Sequence, residues 1–184
     1  MTTNAASLST VLAAPTQQDF VQALAGIFEH SAWVAEAAWV QRPFASVEHL
    51  LQALLQAMWQ ASPEQQLALI RAHPELAGKL AIQGELTVES TREQAGAGLQ
   101  HCTPEQFAQI QQLNTDYQAK FGWPFIIAVK GLQREQIIQA MQQRLQHQAA
   151  DEFNIALTQI SKIAQFRLYE RFGLSAHLPQ PVTA

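Results

Sequence analysis

Apolar residues recur along most of the chain at the three- and four-residue spacing of one face of an α-helix. The clearest run follows Ser46, which could cap a helix that carries its apolar residues on one face. That face consists of Val47, Leu50, Leu51, Leu54, Leu55 and Met58. Similar spacing predicts helices over 19–28, 31–40, 133–146 and 152–172. The chain is therefore predicted to be all-α.

Two four-residue motifs predict where helices begin. In Ser62-Pro63-Glu64-Gln65 and Thr103-Pro104-Glu105-Gln106, a capping hydroxyl precedes a proline at the first helical position and a glutamine that can reach back. The first helix should end before His73, because a residue that precedes proline avoids the helical conformation. The second should end at Gly122. The breakers together predict a compact bundle of roughly eight or nine helices.

One short run reads as extended rather than helical. It is partly β-branched and lies between Pro124 and Gly131. Such a segment displays main-chain N–H and C=O groups that a helix would hide, so it is either a plain connector or an edge that binds an amide-like ligand. The run consists of Phe125, Ile126, Ile127, Ala128 and Val129.

No internal repeat or linker divides the chain, so residues 1–184 are predicted to form a single domain with loose tails at 1–15 and 175–184. Hydrophobic residues make up 48% and charged residues 14%, which favours an ordered core. The net charge of −4 and the absence of a Lys/Arg run argue against nucleic-acid binding. The single cysteine, Cys102, excludes an intramolecular disulfide.

Location follows from what the sequence lacks. No apolar run is long enough to cross a bilayer, and no basic leader precedes the first apolar patch, since the first Lys or Arg is Arg42. We therefore expect a cytoplasmic protein that does not bind membranes.

Arg167 contradicts the local pattern most strongly. It falls near the centre of the apolar stripe of the last predicted helix, where a guanidinium is costly unless it meets an anion. Three interpretations remain open: an internal salt bridge, a buried stem whose head reaches water, or a ligand anion. If Arg167 has no internal partner, Arg167→Met should leave stability unchanged or raise it.

His73 and the region after residue 90 carry further candidate chemistry. His73 would lie at a helix C-terminus, where the dipole favours the charged imidazole. The motif from Ser90 to Glu93 matches a capping box, which would explain both residues structurally. Gly96 and Gly98 are unusual inside a helix and suggest a close approach of backbone to a helix or ligand. No histidines pair at metal-ligand spacing, so no metal is expected.

Five stretches, in their order along the chain, resemble the OHCU decarboxylase family over about residues 20–173. They are HSAWVAE at 30–36, HPELAGK at 73–79, LTVESTREQAGAGL at 86–99, FGWPFIIAVKG at 121–131 and the helix at 152–168. OHCU is 2-oxo-4-hydroxy-4-carboxy-5-ureidoimidazoline. The resemblance implies an all-helical homodimer that needs no cofactor and decarboxylates OHCU to (S)-allantoin and CO2 in urate degradation.

The resemblance also implies residue roles. It assigns catalysis to His73 and Glu93 and substrate binding to Arg167. We expect His73 and Glu93 to bind the substrate 4-hydroxyl together, with Glu93 either fixing the imidazole tautomer or sharing its charge. Further substrate contacts are expected from Pro74, Ser90, Thr91, Arg92, Glu93, Gln94, Phe125, Ile126, Ile127, Ala128 and Val129. The rival interpretations are a hydrolase acting on a related ureide, a non-catalytic binding module, and a generic interaction bundle, which would leave Arg167 and the extended run unexplained.

Overall fold

The computed structural model describes residues 8–78 and 86–174. These residues form nine α-helices and no β-strand, as the hydrophobic pattern predicts. The helices are α1 Leu8–Leu12, α2 Gln17–Ala23, α3 Trp33–Ala38, α4 Val47–Trp59, α5 Pro63–Arg71, α6 Val88–Gly96, α7 Pro104–Phe121, α8 Arg134–Arg144 and α9 Ala149–Arg171. Two 3-10 turns, Trp39–Gln41 and Leu99–His101, follow α3 and α6. None of the described helices is long and apolar enough to span a membrane.

Helix ends are largely where the local sequence motifs place them. Ser46 caps α4, and complete capping boxes built on Ser62 and Thr103 start α5 and α7. Helix α7 stops at Gly122, whose φ of 79° is accessible to glycine at little steric cost. Helix α5 ends just before His73 and Pro74. These local motifs therefore determine where the loops that carry several site residues begin and end.

The core lies around α4 and α9. Helix α9, the longest, packs against α4 and α5, and its stripe of Ala156, Leu157, Ile160 and Ala164 is almost completely buried. Leu50 and Leu54 of α4 are likewise inaccessible to solvent. Arg167 continues the buried stripe of α9, as its helical position predicts.

Two predictions about the chain ends and helix lengths need correction. Residues 8–15 are not a loose tail, because α1 packs Val11 into the core with no exposed surface. Residues 1–7 and 175–184 lie outside the described residues, as does Lys79 of the HPELAGK motif. The predicted helix 19–28 is wrong in its second half, since α2 ends at Ala23 and Gly26 turns the chain at φ 84°.

The capping box expected at Ser90 is also wrong. Thr87 caps α6 instead, so Ser90 and Glu93 lie inside the helix with their side chains available for other contacts. Gly96 is the last residue of α6, and Gly98 follows it in the left-handed region at φ 70°. A Cβ built at either glycine meets nothing within 4 Å. No other described part of the protein therefore approaches these two glycines closely, and the ligand alternative stays a prediction.

Candidate active site

A small cavity forms where the end of α5, the buried face of α6, the non-helical segment 125–129 and helix α9 meet. Its volume is about 30 Å³. That space suits water molecules rather than a ring, so a ring-sized ligand needs side chains to move. The lining residues are His73, Pro74, Leu76, Ser90, Glu93, Gln94, Phe125, Ile126, Ile127, Val129, Ile163 and Arg167.

Most residues singled out from the sequence meet at this cavity, but three do not line it. The Thr91 hydroxyl donates to the Thr87 carbonyl oxygen at 2.9 Å on the exposed side of α6. Arg92 and Ala128 line an adjoining outer cavity of about 260 Å³. The two cavities share Glu93, Val129, Ile163 and Arg167, so the outer one is a natural approach to the inner one.

The Arg167 guanidinium has its donors occupied within the protein. Its Nε and one terminal nitrogen form a two-point ion pair with Glu93 at 2.7 and 2.8 Å. The other terminal nitrogen donates to Glu29 at 2.8 Å and to the Gly26 carbonyl oxygen at 3.0 Å. Of the three interpretations left open for Arg167, the internal salt bridge is the one the unliganded protein adopts.

Sequence reasoning missed the lining residues Leu76 and Ile163, and it missed Glu29, which bonds to the cavity residues Arg167 and Ser90. The Glu29 carboxylate, 1% exposed, accepts from the Thr87 and Ser90 hydroxyls at 2.7 and 3.1 Å in addition to Arg167. Burial opposes its charge, yet Arg167 and the Thr87 hydroxyl hold the pKa of Glu29 below its usual range. The available signal was an acidic residue directly after the apolar pair Ile27 and Phe28.

The same carboxylates act on Arg167. Burial opposes the guanidinium charge, but the hydrogen bonds and charges of Glu93 and Glu29 raise the pKa of Arg167 above its ordinary value. The Glu29 side chain is sealed in the interior, whereas that of Glu93 is 27% exposed. Arg167 is thus anchored on its buried side and paired with a more accessible carboxylate on the other.

His73 is buried and neutral rather than displayed and charged. Its Nδ1 lies 2.9 Å from the Leu69 carbonyl oxygen, which can only accept, so Nδ1 carries the ring proton. Burial lowers the pKa of His73 to about 4, which outweighs any stabilisation of the charged ring by the helix end. The buried Nε2 has no hydrogen-bond partner within the described structure. The result is a lone pair available to a ligand.

Glu93 does not hold the imidazole, contrary to expectation. It is committed to Arg167, and the Leu69 carbonyl fixes the tautomer of His73 instead. Gln94 also has internal partners, since its amide accepts from the Ala77 N–H at 2.9 Å and donates to the Glu75 carbonyl oxygen at 3.3 Å. Gln94 therefore ties α6 to the loop that follows His73.

No group of three or more His, Cys, Asp or Glu side chains is placed to hold a metal ion within residues 8–78 and 86–174.

The depressed pKa of His73 gives a pH prediction. The unfolded ring takes up a proton near pH 6.5 and the folded ring near 4, so between these values the unfolded state binds more protons. The contribution of His73 to stability is therefore complete above about pH 6.5 and lost as the pH falls toward 4. NMR titration should find the His73 ring still neutral at pH 5.5, its signal being the one that His73→Asn removes. A His73 midpoint of 6 or above would contradict the buried neutral ring.

The family model described as OHCU decarboxylase matches residues 13–169. A 2-oxo-4-hydroxy-4-carboxy-5-ureidoimidazoline decarboxylase of Haloferax volcanii is 44% identical over 154 residues, which cover 84% of this chain and 89% of that protein. The protein of the same name from Halalkalicoccus jeotgali is 42% identical, with coverage of 84% and 85%. The chain belongs to the OHCU decarboxylase family, a family of carboxy-lyases.

Among solved structures, the crystal structure of an (S)-allantoin synthase superposes with a TM-score of 0.72 at 28% sequence identity. The alignment covers 90% of this chain and 54% of that longer one. The predicted all-helical fold and the resemblance that suggested the family are thereby confirmed.

Proposed function

We propose that the chain decarboxylates OHCU to (S)-allantoin and CO2 in urate degradation, without a cofactor. Membership of the family supports the reaction. The observation that carries the proposal to this chain is the buried neutral His73, which has an unpartnered Nε2 and lines a cavity together with the Arg167 guanidinium and the Glu93 carboxylate. Such a set can bind an anion and accept a proton, which are the two tasks this decarboxylation requires.

The substrate supplies its own electron sink. Its carboxylate is attached to the ring carbon next to a C=N bond, so the electrons released with CO2 can form a carbon–carbon double bond as the imine nitrogen takes up a proton from solvent. The resulting enol becomes allantoin when the hydroxyl proton leaves and the neighbouring carbon is protonated. The protein therefore has to hold the ring, accept the hydroxyl proton and protect one face.

His73 is the proposed acceptor for the 4-hydroxyl proton. Its tautomer already leaves Nε2 free, and no proton has to be removed first because the free ring is neutral at pH 7. The anionic substrate raises the pKa of the imidazole on binding, which strengthens it as a base. Protonated His73 can then return a proton to one face of the intermediate.

Arg167 and Glu93 are the proposed binding pair. The cavity has to widen for the substrate, and Glu93 is the more exposed of the two carboxylates on Arg167. Exchange of Glu93 for the substrate carboxylate or a ring carbonyl frees the guanidinium fork, while Glu29 keeps Arg167 in place. The released Glu93 carboxylate becomes available to the substrate hydroxyl.

The proposed reaction is tested with freshly generated OHCU and the purified protein. Circular dichroism should show (S)-allantoin forming faster than spontaneous decay, with one CO2 released per turnover. Release of ammonia or urea would instead indicate a hydrolase. Binding of OHCU without any rate increase would indicate a binding module.

Cofactor independence is a separate prediction. The described residues include no group placed to hold a metal ion. The proposed electron flow also needs no metal. Exhaustive treatment with a chelator is expected to leave the rate unchanged. A loss of activity that one added metal restores would contradict it.

We further propose a cytoplasmic homodimer. The resemblance to the family supports dimerisation, and closed two-fold dimers are the commonest soluble assembly. Light scattering at micromolar concentration is expected to give twice the monomer mass of 20.4 kDa. A monomer across that range would contradict the dimer, and recovery of the tagged protein in a membrane or organelle fraction would contradict the location.

A further inference from the structure

The main-chain segment 125–129 is fixed to the protein along one edge. The Ala128 N–H donates to the Gln159 side-chain oxygen at 3.0 Å, and the Ile126 carbonyl oxygen accepts from Arg144 at 2.6 Å. Gln159 belongs to α9 and Arg144 to α8. Side chains from two helices therefore bond to the segment at Ile126 and Ala128, two positions apart.

That spacing determines which main-chain groups remain available. In an extended chain the N–H and C=O groups of residues i and i+2 point to one side, and those of residue i+1 point to the other. Arg144 and Gln159 bond to the residues on either side of Ile127, as they would along one edge of an extended segment. The opposite edge carries the groups of Ile127, whose N–H has no acceptor among the described residues, and Ile127 itself lines the cavity.

Arg144 is itself held by a buried cluster. Glu152, fully buried, accepts from two nitrogens of Arg144 and from the Tyr117 hydroxyl. The Arg144 guanidinium also lies 4.3 Å from the centre of the Phe125 ring. Since every element of this cluster is packed in the core, the Ile126 carbonyl has little freedom to move.

We infer that Gln159 and Arg144 are positioning residues: they hold one edge of segment 125–129 so that the Ile127 main chain on the other edge is presented to the substrate's amide groups. The inference rests on the proposed function for the identity of that ligand. It assigns a role to two residues outside the cavity lining, neither of which needs to touch the substrate.

Gln159 offers the sharper test because a matched pair of substitutions separates hydrogen bonding from packing. Gln159→Glu keeps an acceptor for the Ala128 N–H, whereas Gln159→Met fills similar space without one. Thr158→Ala, on the exposed neighbouring position of α9, is the control. Hydrogen exchange of the unliganded protein should show the Ala128 amide exchanging about tenfold faster in Gln159→Met, the scale of one hydrogen bond. Gln159→Glu and Thr158→Ala should match the wild type.

Steady-state kinetics with OHCU provide the second measurement. Gln159→Met is expected to raise KM by about three- to tenfold with little change in kcat, and Gln159→Glu to restore KM. Arg144→Lys, which keeps the charge facing Glu152 but loses the fork, is expected to raise KM in the same way. It also supplies the test if Gln159→Met fails to fold.

Three outcomes overturn the inference: wild-type exchange in Gln159→Met, equal defects in the Met and Glu variants, or a loss confined to kcat. Failure of the proposed function is distinguishable, because a wild-type protein that does not turn over OHCU leaves the exchange measurement intact.

Discussion

His73→Asn is expected to fold normally and to lose about 10²–10⁴-fold in turnover, the usual contribution of a general acid–base group. The asparagine amide can replace Nδ1 as the donor to the Leu69 carbonyl oxygen, so the hydrogen bond that fixes the ring survives. What disappears is the unpartnered Nε2. The loss should therefore appear in kcat, measured by circular dichroism of the product, while the melting temperature changes little.

The matched variant His73→Gln has the opposite effect at the two positions that the ring nitrogens occupy. Its longer amide can reach toward the former Nε2 position but leaves the Leu69 carbonyl without its donor. We expect His73→Gln to be less stable than His73→Asn and equally inactive, because an amide oxygen is not a useful base at pH 7. If either variant kept turnover within threefold of the wild type, His73 would not be the proton acceptor.

Much of the fold was predictable because its signals are local. Ser62, Thr103 and Gly122 act through contacts within a few residues, so their roles can be read from short motifs. The motif at Ser90 failed for the same reason: Thr87, three residues earlier, offers an equally good cap, and the contacts of Ser90 with Glu29 and Arg167 favour burying it. Local pattern alone could not decide between the two caps.

The residues of the site were more predictable from the sequence than the contacts between them. A buried Arg167 could be inferred from the helical period of α9, but its partners Glu29 and Glu93 are separated from it by 138 and 74 residues. No periodicity within one helix reports such contacts. The burial of His73 was likewise hidden, because it depends on how the loop after α5 packs against α6 and segment 125–129 rather than on the sequence beside it.

The largest expected effect on stability is that of Arg167→Met. The sequence alone suggested that this change would leave or raise stability, which requires an unpaired guanidinium. Since Arg167 neutralises the buried Glu29 and also binds Glu93, its removal leaves a carboxylate without a counter-charge in the interior. We expect a loss of about 3–5 kcal/mol. For a chain of this size that corresponds to a melting temperature lower by roughly 10 °C.

Two further variants separate the structural role of Arg167 from its proposed binding role. Glu93→Gln keeps an acceptor for the guanidinium and leaves Glu29 paired, so the melting temperature should barely move while turnover falls strongly. In the double variant Glu29→Gln/Arg167→Met the stranded charge is gone, so part of the lost stability should return, and the non-additivity measures the coupling between the two residues. An unchanged melting temperature for Arg167→Met would mean that the ion pairs contribute nothing net to folding. Normal turnover in Glu93→Gln would leave Glu93 with a structural role alone. In the proposed mechanism the Glu93 carboxylate moves from Arg167 to the substrate hydroxyl, so neutralising it has to lower the rate.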